Sequence, residues 1–352
     1  MIDTLARVRV LATGGTIAGS ADRADAASSY TAATLSLDAI LDTIPGLSEL
    51  ARIDAQQIAA IDSKDADPAF WQSLARHIQA ALDAPDVDAV IVLHGTDTME
   101  ESAWFAQLAL SPRKPVVFTG AMRPATAVSA DGPMNVLQAM RVALDPVAAG
   151  RGVLAVMNGA IHSARFLRKT HGSHVQAFSS GAAGQEGEVF DTVRWFRDGL
   201  PAPTTVAVRS GAAGSVPQPK DGARNDRPGL VEHLVHIGDK NQVLSAPLPR
   251  VDLLVAYPGA PTDMIDHVVR TGAQGIVFAG TGQGTLSAAV QAALAQARQQ
   301  GVVVVRASKV DEGQAYPEAG CPDAALGFLT SGGLSAAKAR VALMLALAGE
   351  AS

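Results

Sequence analysis

Apolar residues gather in short, nearly continuous runs at positions 8–12, 89–93, 116–119 and 153–157, and again at 253–257, 276–279 and 302–305. Aliphatic runs of this length, without polar alternation, are what strands buried on both faces require. Between the runs the period changes. Phe70, Leu74, Ile78 and Ala81 recur at helical spacing, and Pro68 stands near the start of that segment, where its missing N–H is harmless. Strand-like runs alternating with amphipathic helices predict an α/β fold with parallel sheet. The expected architecture is a larger N-terminal doubly wound domain with a mostly parallel sheet, and a smaller C-terminal α/β domain, also with a parallel sheet.

From about 201 to 249 this pattern gives way to Pro, Gly, Ala and charge, as in Ser215-Val216-Pro217-Gln218-Pro219-Lys220-Asp221-Gly222. Such composition reads as a linker with inserted loops. The division expected from it is 1–205, 206–249 as linker with insert, and 250–352. No internal repeat of the kind that builds solenoids is visible.

Composition narrows the choice of function. The 352 residues are 48% hydrophobic and 18% charged, enough apolar material for a sizeable core and too much for global disorder. The formal net charge of −6 argues against nucleic acid or an anionic membrane as main partner. An anionic substrate must therefore be held by local donors. Cys321 is the single cysteine, which rules out an internal disulfide and any metal site needing two thiolates from one chain. The opening Met1-Ile2-Asp3-Thr4 has no basic and apolar leader pattern. A cytoplasmic location is expected, with a mature exported form as the alternative. The apolar stretch at 341–348 falls well short of the ~18 residues a membrane span needs.

Three segments carry candidate chemistry. Thr13-Gly14-Gly15-Thr16-Ile17-Ala18-Gly19 follows the first strand directly, and ligands of open α/β sheets bind beyond the carboxyl ends of strands. Gly14 and Gly15 let the backbone turn sharply and approach a ligand, with the Thr16 hydroxyl beside them. A threonine hydroxyl is a poor nucleophile unless a base takes its proton. Tyr30 lies on a following segment suited to a lid, and a phenol serves as base only where a neighbouring cation lowers its pKa from ~10. A plain strand-to-helix turn or a phosphate cradle are the other readings, although neither the Walker pattern nor G-x-G-x-x-G is met. In His94-Gly95-Thr96-Asp97-Thr98-Met99-Glu100-Glu101, Thr98 and Glu101 have capping-box spacing, which leaves Thr96 and Asp97 without a structural reason. Thr96 is suited to position water or pass a proton, and Asp97 to accept from an ammonium group. His94 reads as a structural histidine. In Arg165-Phe166-Leu167-Arg168-Lys169-Thr170 the basic residues fit a solvated face, or a lysine holding a proton relay with Thr96 and Asp97.

Taken together these segments resemble the two signatures of the bacterial-type L-asparaginase (asparaginase–glutaminase) family, here in the right order and about eighty positions apart. Gly120-Ala121-Met122-Arg123-Pro124, Ser129-Ala130-Asp131-Gly132-Pro133 and Lys338-Ala339-Arg340 add to the likeness, which covers nearly the whole chain apart from the insert. The resemblance implies hydrolysis of L-asparagine to L-aspartate and ammonia, with a dual asparaginase–glutaminase or a broader small-amide amidase as the alternative. It implies Thr16 as nucleophile with Tyr30 as its activating partner, and Thr96, Asp97 and Lys169 as a second triad. Ser63 resembles the residue that holds the substrate α-carboxylate. No metal or organic cofactor is implied, and the expected assembly is a homotetramer of intimate dimers in which each C-terminal domain completes a neighbour's site.

The likeness has departures. Asp62-Ser63-Lys64 stands where the family usually has glycine, the serine and Gln or Glu, so Lys64 brings a cation to the α-carboxylate region or swings into solvent. Gln283 replaces the usual Asn from the partner subunit. The acidic residue expected across the interface aligns with Gly320, leaving Glu318 or Glu312 to take its part. The expected substrate-binding set is Gly15, Asp62, Ser63, Lys64, Gln283 and Glu318. A binder without catalysis, reusing the glycine-rich loop, is the reading from another class, and it has no use for two hydroxyl–base sets.

Overall fold

The structure is a computed structural model and describes residues 5–25, 31, 34–110, 112–197 and 240–350. The chain divides into two compact units, Met1–Ala202 and Pro203–Ser352.

In the first unit β1 (Arg7–Gly14), β2 (Arg52–Ile61), β3 (Ala89–Leu93), β4 (Val116–Thr119) and β5 (Val153–Met157) are parallel, in the order β5-β4-β3-β1-β2. At β5 the direction reverses. Asn158 and Gly159, with φ of 49° and 79°, make the two-residue turn into β6 (Ala160–Ser163), as an Asn-Gly pair between apolar runs favours. A separate ribbon pairs β7 (Arg168–Lys169) with β8 (Phe178–Ser179), and β9 (Gly187–Val189) and β10 (Val193–Trp195) extend the main sheet beyond β6. The mostly parallel sheet of the sequence reading is thus present, with an antiparallel edge added to it.

Among the described residues five helices flank this sheet: α1 (Leu37–Leu41), α2 (Leu47–Leu50), α3 (Pro68–Asp83), α4 (Met99–Ala109) and α5 (Gly132–Leu144). Val10, Ile91, Leu93, Val117 and Val156 share a fully buried core with Val136, Ala139 and Met140 of α5 and with Leu37 and Leu47. Val90 and Val92 alternate with these and project to the opposite face. There α3 and α4 pack together, with the Trp71 and Phe105 rings 5.8 Å apart. Asp67 caps α3 by accepting from Phe70 N at 2.7 Å, and Pro68 takes the first helical position. Among the parallel strands of this sheet, β2 is the one that the apolar runs do not signal. It lies at the sheet edge, half-exposed, and carries Gln56 and Gln57 where an inner strand needs apolar residues.

The first described element of the second unit is α6 (Lys240–Ser245), which buries Val243 and Leu244. Within the segment read as linker with insert, 240–245 form this helix, and the residues through 239 lie outside the described residues. A four-stranded parallel sheet follows, in the order β11 (Val251–Val255), β12 (Gly275–Gly280), β13 (Val303–Ser308) and β14 (Leu329–Thr330). α7 (Asp263–Arg270) and α8 (Ala288–Gln299) pack Ile265, Val268, Val290 and Leu294 on Ile276, Phe278 and Val304. After the short α9 (Asp323–Leu326), α10 (Ala336–Glu350) covers the other face. Its Leu343 comes so near Gly275 that a Cβ there would meet Leu343 Cδ2 at 2.7 Å. Among the described residues no helix is long and apolar enough to cross a membrane.

Candidate active site

β1 and β3 are adjacent and parallel, so residues 13–19 and 94–98 leave the same end of the sheet side by side. β2 ends at that edge as well and delivers 62–65. The three loops meet almost without side chains between them. Gly15, at φ 79°, donates its N–H to Ile61 O at 2.9 Å, and a Cβ on it would fall 2.5 Å from Gly95 Cα. A Cβ on Gly95 would in turn fall 2.6 Å from Ser63 Oγ. Both positions therefore need glycine, Gly15 for its dihedral and its space, Gly95 for its space. Thr16, largely buried, opens the 3₁₀ turn Thr16–Ala18, whose Ile17 and Ala18 anchor it in the core.

Lys169 reaches the same place from β7. Its backbone N–H donates to Glu100 Oε2 at 3.0 Å, which ties the lysine to the first turn of α4. Its ammonium donates to Thr96 Oγ1 at 2.8 Å and to the Asp97 carboxylate. The lysine side chain is 15% exposed and that of Asp97 58%, so the chain of hydroxyl, ammonium and carboxylate runs from the buried Thr96 outward. A proton-bearing cation held against a hydroxyl and a carboxylate is the arrangement a proton relay needs. Asp97 N donates to Ser63 Oγ at 3.2 Å, and Thr98 Oγ1 to Ser63 O at 2.8 Å. The second bond overturns the capping-box reading of Thr98. Its hydroxyl makes no cap bond to α4 and instead donates to the Ser63 carbonyl.

Supporting residues not singled out from the sequence surround this cluster. Asp131 accepts from Met122 N and Arg123 N, both at 2.9 Å, and Asn135 Nδ2 donates to Gly120 O at 2.9 Å. Ala125 N then donates to Gly19 O at 3.0 Å, so the 120–135 segment braces the Thr16 loop. Gly120 is in close contact too, since a Cβ there would lie 2.4 Å from His94 O. Glu100, read only as part of a motif, is what holds Lys169. The spacing of Gly, Asp and Asn in these loops was the available signal. His94 is structural, as read: it is buried between the Phe70 and Phe118 rings, and Nδ1, bonded to Gly95 O at 2.6 Å, must carry the proton because a carbonyl only accepts. Burial lowers its pKa to about 4.

At the rim, Lys64 folds back onto Asp62. Its ammonium pairs with Asp62 Oδ2 while its N–H donates to Oδ1, and its side chain stays 64% exposed. The lysine holds the Asp62 carboxyl below its ordinary range, and the carboxylate raises the lysine in return. Of the residues predicted in the first unit, the structure thus gathers Gly15, Ser63, Thr96, Asp97 and Lys169 around one another. Thr16 follows Gly15, and Asp62 and Lys64 flank Ser63. Tyr30 lies outside the described residues. Gln283 and Glu318 belong to the second unit. Gln283 is exposed on the 281–285 turn, and Glu318, at φ 62°, accepts from Ala324 N at 2.8 Å through its Oε1.

The known proteins that resemble this chain share both halves. Residues 7–200 match the family model Asparaginase, N-terminal, and residues 250–352 match the Glutaminase/Asparaginase C-terminal domain. A probable periplasmic L-asparaginase of Haemophilus influenzae is 38% identical over 344 residues, 97% of this chain and 89% of that one. A glutaminase-asparaginase of Pseudomonas fluorescens biotype A is 33% identical over 348 residues, 97% of this chain and 86% of that one. Among solved structures, a probable cytoplasmic L-asparaginase from Campylobacter jejuni superposes with a TM-score of 0.82 at 35% identity, covering 97% of this chain and 95% of its own. With both domains matched and nearly the whole length aligned, the chain belongs to the asparaginase family.

Proposed function

We propose that this chain hydrolyses L-asparagine to L-aspartate and ammonia through an acyl-enzyme on Thr16. The observation that carries the reading is the Lys169 ammonium held between Thr96 Oγ1 and Asp97, beside a loop that abuts the Thr16 loop backbone to backbone. In the first half-reaction Thr16 Oγ attacks the side-chain amide carbon and loses its proton, with Tyr30 as the activating partner that the family resemblance supplies. The C–N bond breaks, and the amide nitrogen takes a proton and leaves as ammonia. In the second, water attacks the threonine ester, giving its proton to the relay of Thr96, Lys169 and Asp97, and the free hydroxyl of Thr16 is restored. Negative charge on the carbonyl oxygen calls for fixed donors, and the Thr96 N–H fills that role. Asp97, with Asp62, takes the α-ammonium, and Ser63 the α-carboxylate. Lys64, neutralising Asp62, sets how much negative charge the ammonium meets.

A dual asparaginase–glutaminase is favoured by the relatives that carry that name. One extra methylene is worth only ~1–3 kcal/mol of discrimination, so the two reactions differ little in what they ask of the site. Near-equal kcat/KM for asparagine and glutamine supports the dual enzyme.

Residues 1–205 and 250–352 act in this reading as catalytic and completing domains joined by 206–249. Gln283 and Glu318 reach a neighbour's site in a homotetramer, which light scattering on the purified enzyme tests. A cytoplasmic location is supported by the cytoplasmic relative from Campylobacter jejuni, and fractionation of the native cell tests it. The decisive experiment is Thr16→Ala. Ammonia release is expected to vanish while cooperative melting survives; turnover that persists defeats the assignment.

A further inference from the structure

In the second unit the guanidinium of Arg306 is fully buried, and its five N–H groups have five acceptors. Nε donates to Asp323 Oδ1 at 2.8 Å and Nη2 to Asp323 Oδ2 at 2.5 Å. The second proton of Nη2 goes to Tyr316 O at 2.7 Å, and Nη1 reaches Gln283 O at 2.9 Å and Gly284 O at 3.1 Å. The pairing with Asp323 is the two-pronged, charge-assisted kind that fixes direction as well as distance.

The three backbone acceptors fall on two exposed loops. One is the turn 281–285, closed by Thr281 and Thr285 through reciprocal backbone bonds of 3.1 and 2.8 Å, with Gln283 at its tip. The other is 316–320. Asp323 Oδ2 also accepts from Glu318 N at 2.8 Å, so the aspartate holds the backbone of Glu318 in its left-handed conformation while Arg306 holds Tyr316. A non-glycine residue keeps such a conformation only where its surroundings fix it. Both loops also touch, since a Cβ on Gly320 would meet Thr285 Cγ2 at 2.9 Å.

We infer that the buried Arg306–Asp323 pair is the positioning device for both loops that carry Gln283 and Glu318, and so sets substrate affinity at the site those loops complete. The inference rests on the reading that this unit completes a neighbouring subunit's site. Mispositioning a binding group by about 1 Å costs as much as ~10²-fold, which makes loop placement rather than loop composition the controlling variable.

The test is a double-mutant cycle on the full-length enzyme, combining Arg306→Lys with Gln283→Ala and with Glu318→Ala. Lysine keeps the charge and loses the fork. Arg306→Lys is expected to melt cooperatively and to raise KM for asparagine on the order of tenfold or more, with kcat changed less. In the double variants the KM increase is expected to be no larger than that of the more severe single change. A folded Arg306→Lys enzyme with parental KM overturns the inference, and so do fully multiplicative effects. If Arg306→Lys does not fold, Asp323→Asn, which keeps one carbonyl oxygen for the guanidinium, enters the same cycle with the same expected and overturning results. Silence of both Gln283→Ala and Glu318→Ala overturns instead the reading that these loops reach a site, and the positioning role falls with it.

Discussion

Lys169 donates from its ammonium to Thr96 Oγ1 at 2.8 Å, and this bond joins a residue of the β7 ribbon to one beyond β3. Lys169→Met removes the proton carrier and leaves the aliphatic stem. The expected result is a fall in kcat of about 10²- to 10⁴-fold, the range of positioned proton transfer, with a smaller change in KM. Lys169→Arg keeps charge but not a compact donor, and it is expected to recover little of the loss. Steady-state kinetics with ammonia detection checks both, and a Lys169→Met enzyme within tenfold of the parent would remove the relay.

Gly95→Ala tests the packing of the three loops. Its methyl would fall on Ser63 Oγ and Cβ, so Ser63 must give way. Displacement of that order is expected to lower kcat/KM by about 10²-fold. Circular dichroism is expected to stay parental, because the sheet is untouched. Parental kcat/KM in a folded Gly95→Ala variant contradicts the close approach.

Lys64→Gln leaves Asp62 unneutralised beside Asp97. The lysine of the pair is mostly exposed, and pairs at the surface contribute ~0–1 kcal/mol to stability, so melting is expected to move little. Kinetics are the sensitive readout. More negative charge near the α-ammonium is expected to lower KM for asparagine and to make KM rise more steeply with added salt. Lys64 holds the Asp62 carboxyl below its usual range, so the stability from this pair is present above that range and fades as pH falls through it. In Lys64→Gln this contribution to the acid dependence is expected to be lost. An unchanged salt response sinks this view of Lys64.

Stability is also expected to fall in mild acid because of His94. Its pKa of about 4 lies below the 6.5 of an unburied imidazole, so between these values the unfolded chain binds the extra proton. Stability therefore rises with pH across that window and loses about 3 kcal/mol on acidification, at ~1.4 kcal/mol per unit. Urea midpoints measured from pH 7 to 4 follow this, and His94→Gln is expected to flatten the slope. An equally steep slope in that variant assigns the effect elsewhere.

How much of this was legible in the sequence depends on what each residue answers to. Inner strands such as β3 and β5 are buried on both faces, and a continuous apolar run says so directly. β2 is an edge strand, where one side needs no apolar residue, and its polar sequence carries no such mark. The reversal at β5 is marked by Asn158-Gly159, a hairpin signal of two residues between short runs rather than a feature of apolar periodicity. Thr16, Thr96 and Asp97 stand in the two motifs and Lys169 in a third segment, and the structure holds the Lys169 ammonium against Thr96 and Asp97. Thr98 was misread because local spacing suggested a helix cap, whereas its bond is to Ser63, thirty-five positions away. Asp131 and Glu100 went unassigned for the same reason: their partners are backbone groups of other segments, and sequence does not name those.

The meeting of Gly15 and Gly95 has a consequence for how a site of this shape diverges. With main chain against main chain, neither position has room for a new side chain, so chemistry and loop spacing are locked together there. Novelty in which amide is accepted has to come from the third contributor, where Asp62 and Lys64 border solvent and are free to vary. Two of the departures expected from the family resemblance, Asp62 and Lys64, stand at those positions, and none falls on these two glycines.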